Sequence, residues 1–121
     1  MKGQTRALLY RAKVPGTTDP VHFSSPWRTI SLDAVEDVSG EVTLAGDKTG
    51  NFEISIPLAA LHFQPKVGET YQADLGLLRG SGGQTMQRVY WSNKSTAITA
   101  DVPSEAELAP KLWGKWKIFA P

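Results

Sequence analysis

Between Arg88 and Asn93 the chain reads RVYWSN, which puts a guanidinium, two large aromatic rings and a carboxamide within six residues. These types suit a flat ligand that carries hydroxyl groups. Its C–H faces rest on rings, and its hydroxyls need both donors and acceptors. Arg88 supplies only donors, Asn93 supplies both, and Asp74, on the strand that precedes the turn RGSGG, supplies only acceptors. Tyr90 and Trp91 supply rings, and Trp27 in SSPWR follows a proline-marked loop and offers another. Trp91, Asn93, Arg88, Tyr90, Asp74 and Trp27 are the candidate ligand-binding residues. Their chemistry fits a saccharide better than a phosphate or a fatty acid. The plainer reading is an exposed Asp74–Arg88 pair beside a surface tyrosine, worth under about 1 kcal/mol. The residue pattern alone favours that plainer reading.

Catalysis finds little support. The two histidines, His22 and His62, accompany no G-x-S-x-G nucleophile pattern. Glycoside hydrolysis needs two carboxylates across a cleft, and the carboxylates in or near regular elements are Glu53, Asp74, Glu105 and Glu107. Glu105 and Glu107 are two apart in a helical segment, so they do not share a face, and they suit the start of a helix. No catalytic residue is assigned, and no enzyme is expected. With no cysteine, thiolate metal sites, disulfides and cysteine nucleophiles are excluded. GDKTGN, from Gly46 to Asn51, is the one stretch considered for calcium, and it lacks the ligand density of a calcium loop. No cofactor is expected, and calcium at GDKTGN is the one alternative kept.

The elements that must carry these residues are strands. Phe52, Ile54 and Ile56 alternate with Glu53 and Ser55, Ile30 and Leu32 with Thr29 and Ser31, and Val42 and Leu44 with Glu41 and Thr43. Such period-two patterns mark sheets with one face on a core. VPGTTDP, AGDKTGN, QPKVG and RGSGG punctuate them with turn residues. PLAAL reads as a single helical turn, and one short helix is expected near 103–108, where Ser104 offers a cap. The expected fold is all-β: a two-sheet antiparallel β-sandwich of jelly-roll or immunoglobulin-like type. At 121 residues the chain suits one domain over 1–121.

A net charge of +1, from 13 basic and 12 acidic residues without a run, argues against nucleic acid and anionic membranes as partners. MKGQTRALLYR turns polar too soon for a signal peptide, and no stretch is long enough to span a bilayer.

TYQADLGLL and QTMQRVYWS flank RGSGG and predict a hairpin of 70–79 with 84–92. Opposed residues share a face in an antiparallel pair. Placing Ala73 opposite Val89 and Asp74 opposite Arg88 sets apolar against apolar and polar against polar. That register sends Val89 and Trp91 inward. It sends Arg88, Tyr90, Asp74 and Gln72 outward together. Phe52, Ile54, Ile56, Ala73, Leu75, Val89 and Trp91 are the expected core.

FEISIPLAAL, GETYQADLGLLRG, QRVYWSNKST and DVPSEAELAPKLWG, in that order, resemble the C-terminal portion of family 9 carbohydrate-binding modules, β-sandwiches related to the DOMON superfamily. The resemblance covers about residues 41–119 and is specific as an ordered set. It implies non-catalytic sugar binding on an appendage of an extracellular or periplasmic polysaccharide-degrading protein. Trp91 and Asn93 fall where the family carries site residues, with Arg88 beside them, whereas Trp27 matches no family motif. Family members commonly have further N-terminal strands, while this chain enters TRALLYR almost at once. An N-terminally truncated module is therefore expected, with an unpaired sheet edge open to homodimerisation. The alternative is a structural interaction module with no intact sugar site. A third class, a cofactor-binding domain of the DOMON type, would want axial ligands such as histidine or methionine, and Met86 and His62 read instead as core filler and loop.

Overall fold

A computed structural model of the chain describes residues 4–26, 28–92 and 110–121. Among these residues strands predominate, and they pair two by two. They fall into two compact units, Met1–Phe23 with Thr29–Gln64 and Ser24–Arg28 with Pro65–Pro121.

In the first unit β1 (Leu8–Arg11) pairs antiparallel with β4 (Ala34–Asp37), Leu8 opposite Asp37. Strand β2 (Val21–Ser24) pairs with β3 (Thr29–Leu32). Strands β5 (Thr43–Gly46) and β6 (Phe52–Ser55) form a hairpin with Leu44 opposite Ile54. Asp47 builds its turn: Oδ1 accepts from the Thr49 hydroxyl at 2.6 Å and its N–H at 2.8 Å, and Oδ2 from the Asn51 amide at 2.8 Å. These bonds favour the ionised carboxylate and hold it well below the usual range, the Thr49 hydroxyl contributing most. So the aspartate of GDKTGN turns into its own loop. PLAAL forms the expected single turn, a 3-10 segment over Leu58–Leu61, and His62 closes it with φ 50°. Tyr10 and Phe23 rings meet at 6.0 Å. Among the described residues the buried hydrophobics are Leu32, Val38 and Ala60, all in this unit.

One polar cluster ties the 3-10 turn to β4. Nε2 of His62 lies 2.8 Å from Oε2 of Glu36, whose Oε1 accepts from Arg11 at 3.5 Å. A carboxylate only accepts, so Nε2 carries the proton. The His62 hydrogen bond is the main cause that holds the Glu36 carboxyl below its ordinary value.

In the second unit β7 (Thr70–Ala73) pairs antiparallel with β10 (Gly114–Lys117), and β8 (Gly76–Ser81) with β9 (Gln84–Tyr90). The hairpin between TYQADLGLL and QTMQRVYWS exists, turning at Gly82 and Gly83 with φ 59° and 79°, a region that favours glycine. Its register differs from the expected one. Leu77, not Ala73, stands opposite Val89, and Leu78, not Asp74, opposite Arg88. The cause is a break at Asp74 and Leu75, where the chain leaves β7, which pairs with β10 instead. The shift is even, so face sharing survives as far as Arg79. Beyond it a bulge slips the pairing and sets Gly80 opposite Thr85.

The core assignment is corrected as well. Phe52, Ile54, Ile56, Leu75, Val89 and Trp91 are exposed, and Ala73 is half-buried. Arg88 and Tyr90, expected outward, are half-buried, while Val89, expected inward, is 52% exposed. Alternation puts the apolar residues on one face, but burying that face needs a second layer. Among the described residues each sheet is two strands wide. The helix expected near 103–108 lies outside the described residues.

Candidate aromatic site

The site is built where β9 ends beside β10. The Trp91 N–H donates to the Leu75 carbonyl at 2.8 Å, which extends the hairpin by one rung beyond Tyr90. Asp74 sets the geometry of that junction. Its Oδ1 accepts the N–H of Leu75 at 2.9 Å and that of Ser92 at 2.8 Å, so one carboxylate oxygen clamps the break after β7 to the residue following Trp91. The Ser92 hydroxyl donates to the Leu112 carbonyl at 3.4 Å, just ahead of β10. Both flanks of Trp91 are thereby fixed to the backbone.

The Trp91 ring lies across Gly114. A Cβ at that position would come within 2.1 Å of Cζ3 and 2.5 Å of Cη2, so only glycine admits the ring. Trp116 shares a face of β10 with Gly114, since side chains alternate along a strand. Its ring meets that of Trp91 nearly edge-on, with centroids 6.1 Å apart and planes at 68°. Such T-shaped pairs are favoured by the ring quadrupole. Trp91 is 54% exposed and Trp116 47%. The two rings thus brace each other and still present half their area to solvent. Tyr71 stands opposite Trp116, and its hydroxyl donates to Glu69 Oε2 at 2.8 Å and accepts from the Lys66 N–H at 3.1 Å. Lys117, on the other face of β10, sits 5.5 Å from the Phe119 ring centroid, within cation–π range.

The residues singled out in the sequence separate into groups. Tyr90 points away from Trp91: its ring lies over Gly76, where a Cβ would be 2.7 Å from Cδ1. Arg88 shares the Tyr90 side of β9 by alternation. Asp74 faces the backbone junction with Oδ1, and Leu78 rather than Asp74 stands opposite Arg88 across the hairpin. Trp27 and Asn93 lie outside the described residues. Trp116 is the residue that the sequence reading missed. WKIFA reads as a strand without clean alternation, and the useful signal was Gly114 two residues before a tryptophan. That spacing puts a bare stretch of backbone and a ring on one face. Among the described residues no group of three or more histidine, aspartate or glutamate side chains gathers to hold a metal ion. No helix among them is long and apolar enough to cross a membrane.

Comparison of the chain with protein-family models, with curated proteins and with solved structures gives no match.

Proposed function

We propose that this chain is a non-catalytic carbohydrate-binding module, with Trp91 and Trp116 as the rings on which a sugar rests. The observation that carries the reading is the half-exposed tryptophan pair seated on Gly114. A pyranose offers an apolar face of C–H groups that stacks on an indole, and two rings set at 68° contact it from two sides. The ordered resemblance of residues 41–119 to family 9 carbohydrate-binding modules supports the same ligand class. With it come the β-sandwich as the complete architecture and an extracellular polysaccharide-degrading protein as the setting. Asp74 and Ser92 act here by positioning Trp91.

A second reading has its own support. Leu75, Leu77 and Val89 continue the apolar surface from Trp91 on the same face of the hairpin, and all are exposed. An apolar strip of this kind suits a protein partner better than a hydrated glycan. It corresponds to an interaction module without a sugar site.

Calorimetric titration with mono- and oligosaccharides separates the two. Sugar binding that falls at least tenfold in both Trp91→Ala and Trp116→Ala supports the first reading. A protein that binds no sugar in the panel, or whose two variants bind like the parent, excludes it.

A further inference from the structure

The first unit contains an apolar cleft of about 360 Å³ that has no part in the aromatic site. Its walls are Leu8, Val42, Leu44, Ile54, Ile56 and Leu61, and Thr5 and Arg6 add polar groups. We infer that this cleft binds a medium-chain amphiphile with an anionic head: the chain lies along Leu44, Ile54 and Ile56, and the head meets Arg6.

Three features lead there. The volume lies at the lower end of small-molecule sites, roughly 300–1,000 Å³. At the ~30 Å³ that one water takes up in the liquid, and with a methylene of similar size, it has room for a chain of about ten carbons. The lining is aliphatic and carries no aromatic side chain, which suits a flexible alkyl chain better than a flat ring. Arg6 supplies the charge. It lies beside Asp37, with Nε 3.6 Å from Oδ2, and its side chain is 71% exposed. A guanidinium has five donors, and a carboxylate head can take two of them as a fork.

A second copy of the chain is a poorer occupant. A two-fold interface sets the same patch against itself, and two concave surfaces do not fill each other.

Titration of the intact chain with decanoate, decanol and acetate tests the inference, with light scattering on the same samples. Decanoate should bind, decanol should bind at least fivefold more weakly, and acetate should not bind detectably. Ile54→Glu and, as a milder change, Leu44→Gln should each weaken decanoate at least tenfold. Both residues are already about half exposed, and circular dichroism checks that each variant keeps its strands. Arg6→Gln should weaken decanoate and leave decanol unchanged. Absence of decanoate binding, or equal binding by the folded cleft variants, overturns the site. Equal binding of decanoate and decanol overturns the role of Arg6. A dimer that dissociates on Ile54→Glu assigns the cleft to a second copy and overturns the ligand.

Discussion

Gly114 and Trp91 show how much a single atom decides. Adding a methyl group at Gly114 places carbon within 2.1 Å of the Trp91 ring, so the indole must leave its seat. Gly114→Ala should therefore cost about 1–3 kcal/mol, the range for overpacking, and should shift the tryptophan fluorescence to longer wavelength. Trp91→Ala should cost less than a fully buried aromatic, about 1–2 kcal/mol, because half the ring is already in water. Urea denaturation of the two variants beside the parent measures both. Glu36 gives a pH signature. Its carboxyl is held below its ordinary value of 4.5, chiefly by the hydrogen bond from His62. The folded state then binds fewer protons than the unfolded one around that pH. The stabilisation is fully present above about pH 4.5 and is lost as pH falls through the lower, folded value. The gap in urea midpoint between parent and Glu36→Gln should narrow between pH 6 and pH 3.

At the scale of elements, the break at Asp74 is the decisive event. It hands Thr70–Ala73 to β10 and leaves Gly76–Ser81 for the hairpin, and so brings Gly114 and Trp116 beside Trp91. The clamp that holds this break is a carboxylate accepting two backbone N–H groups. Hydrogen bonds to a charged acceptor contribute about 1.5–3 kcal/mol, so Asp74→Ala should destabilise by that order. Asp74→Asn should recover part of the loss, because its carboxamide oxygen still accepts. If Asp74 acts by positioning, Asp74→Asn should also keep most of any sugar binding that the two tryptophans support. Parallel melting and titration of the two variants check this.

At the scale of the whole molecule, the buried hydrophobics among the described residues, Leu32, Val38 and Ala60, all belong to the first unit, while apolar strand residues of both units, Leu44 and Ile54 as well as Leu77 and Val89, are exposed. Amide exchange slows where opening must expose buried apolar side chains. The slowest amides among the described residues should therefore cluster near Leu32, Val38 and Ala60, with faster exchange in β8 and β9. Hydrogen–deuterium exchange followed by mass spectrometry resolves the two regions.

Several features were legible in the residues alone. The strands at FEIS and TISL, the glycine pair at the turn and the single turn in PLAAL each depend on neighbours a few positions away, and each appears where the sequence places it. The hairpin itself was legible for the same reason, and so was the even parity of its register as far as Arg79. What the sequence could not determine was which strand takes which partner. TYQADLGLL reads as one continuous strand, and only the pairing of Thr70–Ala73 with Gly114–Lys117 breaks it. Burial followed from that choice. Period-two patterning assigns residues to a face, but whether a face is covered depends on sheet width and on a second layer, which no local pattern encodes. For the same reason Trp116 went unnoticed beside RVYWSN. It lies 25 residues beyond Trp91 in the chain, and only the strand order brings the two rings together.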